Sequence, residues 1–359
     1  MSAARVYRVI GLMSGTSLDG IDAAFVATDG RARIEPGPFL TIPYAPEFRA
    51  RLKSVLGGAG DVPAIERELT HLHAAAVAAL RERHALGPVD LVGFHGHTIL
   101  HRPREGRTWQ IGDGALLAQL TGLDVVNDFR SNDVAAGGEG APLVPLYHQA
   151  LAGALARPVA VLNIGGVANV TWIGDGADDI VAFDTGPGNA LIDDWMLRHT
   201  GSPLDRGGVF AKKGRVSEPH LARFLAHSYF ARRPPKSLDR DEFAGSVPDD
   251  LPPEDGAATL TAMTAAAVAA AARHFRKPAG LWLVTGGGRL NETLMDWLRT
   301  GLGAPVERIE AALNCDGDAL EAQAFAYLAA RAVENLPLSL PSTTGARHPV
   351  TGGRLHRAR

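Results

Sequence analysis

Cysteine is nearly missing: Cys315 stands alone in 359 residues. A lone thiol closes no internal disulfide, so no disulfide framework holds this fold and a reducing compartment is the expected setting. Neither sign of charge dominates. Lys and Arg number 36, Asp and Glu 39, for a formal net charge of −3. The basic excess of a nucleic-acid binder is therefore absent. No apolar run reads as long and uncharged enough to span a bilayer. Arg5-Val-Tyr-Arg8 leads straight into a strand-like segment without the apolar core of a secretory signal, so a cytoplasmic location is expected. Hydrophobic residues reach 46% and charged residues 21%, which excludes global disorder. The length suggests roughly two to three domains.

Glycine is the residue in excess, at 41 of 359, about 11% against a usual ~7%. No collagen-like period accompanies it. The glycines instead cluster where apolar strands end. Val6–Ile10 reads as a buried strand that runs into Gly11-Leu-Met-Ser-Gly-Thr-Ser-Leu-Asp-Gly20, and Ile21–Thr28 follows as a second strand. Strand, small polar turn, strand is a hairpin. The Lys and the following helix of a P-loop are missing. Two readings fit: an ordinary turn, or a cradle in which Gly15, Thr16 and Ser17 let backbone amides approach a phosphate, with Asp19 and Asp22 holding Mg²⁺ through water. The pattern repeats at Pro158–Leu162, Asn163-Ile-Gly-Gly-Val-Ala-Asn169 and Val170–Ile173. A third cluster, Gly280–Val284 and then Thr285-Gly-Gly-Gly-Arg-Leu-Asn291, precedes a helix that Asn291 caps. Two similar hairpins about one domain apart suggest two related α/β lobes with a ligand between them.

Helical spacing of apolar residues predicts helices over 60–86, 256–277 and 317–334. Residues 203–253, rich in Pro, Gly and charge, read as surface loops and short helices. Residues 341–359 carry four arginines and little apolar material, and read as a mobile tail. Gly137-Gly-Glu-Gly-Ala-Pro-Leu-Val-Pro145 reads as a hinge.

Few residues offer chemistry. Asp184 follows the strand Ile180–Phe183 and opens the turn Thr185-Gly-Pro-Gly-Asn189, ahead of a helix that Asn189 would cap. It suits a general base in a phosphotransferase; an Asx-turn carboxylate is the competing reading. His95 and His97, placed just after a strand, either share a metal or line a polar pocket, and the pocket is preferred because no Glu or Cys completes a metal spacing. Gln110, Asp113, Asn127 and Arg130 suit a hydroxylated substrate with a carboxylate, or surface loops.

Gly11-Leu-Met-Ser-Gly-Thr-Ser-Leu-Asp-Gly-Ile-Asp22 resembles the opening signature of the anhydro-N-acetylmuramic acid kinase family. The resemblance extends through His95–Thr98, Gln110–Asp113, Asp128–Arg130, Gly140–Pro145, Asn163–Asn169, Asp184–Asn189, Gly286–Gly288 with Asn291, Glu321-Ala with Ala324–Ala326, and Leu340–Ser342 with Thr344–Ala346. It implies an α/β, two-lobed actin-like ATPase fold of the sugar kinase, heat-shock ATPase and actin type, with duplicated mixed sheets and an interlobe cleft. The lobes would span 1–135 and 136–335, with a tail at 336–359. It implies cleavage of the 1,6-anhydro ring of 1,6-anhydro-N-acetylmuramic acid by water, with ATP-dependent phosphorylation of O6, in peptidoglycan recycling and amino-sugar catabolism. Asp184 would activate the water. ATP with Mg²⁺ would fall to Gly15, Thr16, Ser17, Leu18, Asp19, Gly20, Ile21 and Asp22 in the first lobe. In the second lobe it would meet Asn163, Gly165, Gly166, Gly286, Gly287, Gly288 and Asn291. His97, Gln110, Arg130 and Glu321 would face the sugar. The partners would be sugar and ATP alone, in a homodimer, with no nucleic acid and no membrane. The chain departs from the family pattern at His97, where many relatives carry Gln, and at Ser131-Asn132, where they are more basic. A related kinase acting on a free hydroxyl and a nucleotide-regulated binding protein are the alternatives.

Overall fold

The computed structural model describes residues 5–15, 17–176, 178–239, 242–313 and 315–358. They divide into two units. Unit 1 runs to Gly153 and resumes at Ala319; unit 2 is Ala154–Asp318.

Unit 1 is built on a seven-stranded mixed sheet. Its strands are β1 (Tyr7–Ser14), β2 (Gly20–Thr28), β3 (Ile34–Pro43), β4 (Leu91–Arg102), β5 (Arg107–Ile111), β6 (Asp124–Asn127) and β12 (Arg354–His356). Unit 2 holds a five-stranded sheet of β7 (Val159–Ile164), β8 (Val167–Ile173), β9 (Ile180–Pro187), β10 (Leu281–Thr285) and β11 (Val306–Arg308). In unit 1, β1 pairs antiparallel with β2, β2 antiparallel with β3, β1 parallel with β4 and β4 parallel with β6. In unit 2, β7 pairs antiparallel with β8, β8 antiparallel with β9, β7 parallel with β10 and β10 parallel with β11. The order and direction are the same, so the two expected hairpins are the first two strands of a duplicated α/β unit. Central strands such as β7 are almost wholly apolar because both of their faces are covered.

The predicted helices form with small shifts at their ends. Val62–Arg83 starts at Asp61, whose carboxylate accepts the Ala64 amide. Leu320–Val333 crosses the first sheet close to the backbone. A Cβ on Gly11 of β1 would lie 1.8 Å from the Ala322 carbonyl oxygen, and one on Gly93 of β4 2.2 Å from that of Phe325. These two glycines let Phe325 and Leu328 bury their side chains, each worth about 1.5–3 kcal/mol. In unit 2, Pro253–Ala271 is continued by a 3₁₀ turn to His274. Among the described residues it is long and apolar enough to cross a membrane, which corrects the expectation from composition. It is mostly buried inside the protein and packs on β9, as a core helix does.

Three further expectations change. Residues 319–335 belong to unit 1 rather than to the second lobe, and the division falls after Gly153 rather than at 135. The C-terminal segment is not a loose tail. Pro341–Thr344 is helical, Ser339 bridges Val350, and β12 adds to β6. Residues 203–253 are not merely surface: Phe224, Tyr229, Phe230 and Phe243 form a buried aromatic cluster with the long core helix.

Candidate active site

In unit 1 the turn between β1 and β2 is closed by the Leu18 amide on the Gly15 carbonyl, 3.1 Å. Leu18 takes φ +60°, rare for a leucine. Its side chain and that of Ile21 are in the apolar core, so only their backbone is available to a ligand. The Ser17 hydroxyl donates to Asp19, 2.7 Å, and the Thr41 hydroxyl to Asp22, 2.5 Å. Thr16 lies outside the described residues. Gly20 has an internal reason to be glycine, since a Cβ would lie 2.4 Å from the Ile42 carbonyl oxygen. Gly15 has no such reason; its Cβ would meet only the Ser17 hydroxyl at 3.5 Å.

His95 and His97 lie inside β4 rather than beyond it, and Gly96 between them has φ +73°, which interrupts the alternation expected of a strand. His95 is fully engaged: Nδ1 faces the Gly96 carbonyl at 2.9 Å and Nε2 accepts from Arg130 Nε at 3.0 Å. Neither His95 ring nitrogen is left open. Among the described residues no group of three or more His, Cys, Asp or Glu is arranged to hold one. His97 Nδ1 lies 2.9 Å from the Ser14 hydroxyl, which in turn meets Tyr44, while its buried Nε2 has no partner. Burial pushes His97 down to about 4 and His95 well below the ordinary range. Both rings are neutral at physiological pH.

Arg130 also donates to the Gly140 carbonyl, 2.6 Å. Burial pushes its guanidinium down to about 10, against the pull of Glu321 and Asp133. Glu321 sits in the first turn of the helix Leu320–Val333, so it and Arg130 belong to one unit. Gln110, on β5, donates to Thr98 and Thr108. Asp133 is a residue whose role the sequence did not disclose. Buried, it accepts from the Gly140 amide at 2.7 Å, the Thr344 hydroxyl at 2.7 Å and the Ser339 hydroxyl. It ties the loop beside Arg130 to the C-terminal segment.

In unit 2 the turn after β7 is shaped by its carbonyls. Gly165 accepts from the Asn189 amide at 2.7 Å, and Gly166 from the Gly188 and Ala190 amides. Asn189 is not a side-chain cap; its amide nitrogen donates to the Ile164 carbonyl instead. Asn291 does cap the next helix, accepting from the Leu294 amide at 3.0 Å. Gly286 (φ +74°) and Gly288 would clash with Asn163 and Ile164 if they carried a Cβ. Gly165, Gly166 and Gly287 would meet no atom closer than 3.6 Å. With Gly15, they are small where the protein itself has no need of it.

Asp184 lies within β9, opposite Asn169 at a register shift, rather than in a turn. Its amide donates to the Lys236 carbonyl at 3.1 Å. Its Oδ2 accepts from the Leu238 amide, 2.8 Å, and its carbonyl from the Tyr229 hydroxyl, 2.6 Å. By its Pro and charge content the segment around Lys236 reads as surface loop. A lysine between two prolines and a leucine has no local signature for this role.

The comparisons agree over almost the whole chain. The family model described as "Anhydro-N-acetylmuramic acid kinase" matches residues 7–358. A protein of that name from Paramagnetospirillum magneticum is 56% identical over 97% of this chain and 99% of its own length. Another, from Rhodospirillum rubrum, is 54% identical over 96% of this chain and 92% of its own. Among solved structures, a ROK family glucokinase from Streptomyces griseus in complex with glucose and AMPPNP is 18% identical, covering 90% of this chain and 99% of its own, with a TM-score of 0.41. With the family model and relatives of 54–56% identity in agreement over nearly the whole chain, the chain belongs to the anhydro-N-acetylmuramic acid kinase family and is an enzyme of that kind.

Proposed function

We propose that this enzyme uses water to open the 1,6-anhydro ring of 1,6-anhydro-N-acetylmuramic acid and transfers the γ-phosphoryl group of ATP to O6. The products are N-acetylmuramic acid 6-phosphate and ADP. The observation that carries this reading is the setting of Asp184. A carboxylate gripped at both main chain and side chain is preorganised to take a proton from one direction.

Asp184 accepts a proton from water as the water oxygen bonds to C1. The C1–O6 bond breaks, O6 keeps its electron pair, and that oxygen attacks the γ-phosphorus while ADP leaves. The proton on Asp184 returns to solvent. Each half assists the other, because the charge that builds on O6 is the nucleophile the transfer needs. In this reading the backbone at Gly15–Asp22, Gly165–Gly166 and Gly286–Gly288 meets the nucleotide. The open space over Gly15, Gly165, Gly166 and Gly287 supports close approach by an anion. Asn163 and Asn291 act there through the turns they shape. Mg²⁺, when bound, neutralises phosphate charge; Asp19 and Asp22, exposed or half-buried acceptors beside that turn, are the residues to hold it through water. Arg130 and Glu321 suit the sugar carboxylate and hydroxyls, with His97 and Gln110 beside them. On family membership we assign the reaction to peptidoglycan recycling and amino-sugar catabolism, in the cytoplasm, by a homodimer.

Reaction in ¹⁸O-water followed by mass spectrometry tests the reading. Label at C1 in a product phosphorylated at O6 is expected. Equal or faster phosphorylation of the reducing sugar, with no label from water, would establish a kinase for a free hydroxyl instead.

A further inference from the structure

Lys236 is 4% exposed, yet it carries an ammonium group. Its Nζ donates to the Tyr229 carbonyl at 3.2 Å and lies 4.4 Å from the centre of the Tyr229 ring and 5.7 Å from that of Phe183. Burying a cation is costly, and a methionine would fill the same space without that cost. The position has a second property: the backbone of the same segment grips Asp184. The Lys236 carbonyl and the Leu238 amide hold the aspartate from outside, and the hydroxyl of Tyr229, whose ring covers the ammonium, holds its carbonyl. Anchor, clamp and carboxylate form one connected unit.

We propose that Lys236 is a positioning residue for Asp184: its caged ammonium anchors the Pro234–Leu238 segment around the aspartate. The proposal rests on the reading of Asp184 as the base. The charged groups around it are Asp184 from β9, Arg232 and Arg233 from the same segment, and Arg273 and His274 from the end of the core helix. Glu242 acts on Tyr229. Burial, with Arg273 and Arg232, pushes Lys236 down to about 8, and Asp184 pulls the other way. That coupling is reciprocal, so the lysine charge lowers the proton affinity of the aspartate.

The test is kcat against pH for the wild type, Lys236→Met and Lys236→Arg. Lys236→Met is expected to lose kcat tenfold or more with little change in the KM for ATP, roughly the cost of a misplaced catalytic group. Its acid limb is expected to move to higher pH as the carboxylate loses a nearby positive charge. Lys236→Arg restores the limb. An acid limb that stays in place in Lys236→Met overturns the proposal and leaves the lysine a packing residue. Titration of the Lys236 ¹⁵Nζ resonance in wild type and in the near-isosteric Asp184→Asn keeps the test open should Lys236→Met fail to fold. The midpoint is expected to fall when the carboxylate is removed; an unchanged midpoint overturns the coupling. Full turnover by Asp184→Asn would instead defeat the base assignment, a separate failure that the lysine titration does not share.

Discussion

Arg130 donates through Nε to Nε2 of His95 at 3.0 Å, and that bond exists only while the ring is neutral. The other ring nitrogen is committed to the Gly96 carbonyl. A protonated His95 has no lone pair for the guanidinium and sets two cations against each other.

The histidines of unit 1 therefore make stability dependent on acid. His73, His97 and His148 are pushed down to about 4 by burial, and His95 lower than its ordinary value by burial and Arg130. Their folded values lie below the unfolded one near 6.5, so the unfolded chain binds more protons as pH falls. The stability they contribute is complete above about 6.5 and is lost between there and about 4. Each titrating histidine adds up to about 1.4 kcal/mol per pH unit to that slope. Melting temperature measured from pH 8 to pH 4 is expected to fall steeply below 6.5. A flat profile would mean that the rings are not buried neutral.

Asp184→Asn is expected to keep its fold and its binding of ATP and sugar while losing turnover by about 10²–10⁴-fold, the usual contribution of a general base. Steady-state kinetics with calorimetric titration of each ligand separates these. Loss of binding in parallel with turnover would make Asp184 a ligand for the sugar instead.

The glycines fall into two physical classes with opposite expectations. Gly11→Ala and Gly93→Ala force the helix Leu320–Val333 off the sheet, since a Cβ would sit 1.8 and 2.2 Å from helix carbonyl oxygens. Overpacking of this kind costs roughly 1–3 kcal/mol or more, read as a lower denaturant midpoint. Gly165→Ala and Gly287→Ala meet nothing closer than 3.6 Å. They should melt near the wild type but raise the KM for ATP. Unchanged KM in both would remove these turns from the nucleotide site.

Asp133→Ala leaves the Gly140 amide and the Ser339 and Thr344 hydroxyls without their shared acceptor. Stranding buried donors costs about 1–3 kcal/mol each. The C-terminal segment is then expected to become sensitive to limited proteolysis after residue 336 well below the melting temperature. Protection equal to wild type would show that β12 pairing on β6 alone holds it.

The element types and the positions of the hairpins were legible from the chain because their causes are local. Apolar alternation, helical spacing, the Asn291 cap and glycine-rich turns all act within a few residues. The motif at Gly11–Asp22 carried family membership for the same reason: it is a contiguous string. Tertiary structure decided what depends on distant atoms meeting. It separated glycines that admit a helix or a strand, such as Gly11, Gly93 and Gly20, from glycines with open space above them, such as Gly15 and Gly165. It gave Glu321 to the unit of Arg130 and drew the arginine-bearing C-terminus into a sheet. It also wrapped a Pro- and charge-rich segment around Asp184. No local signal announces that lysine, because its burial is offset by a carbonyl, rings and a carboxylate brought to it by the fold.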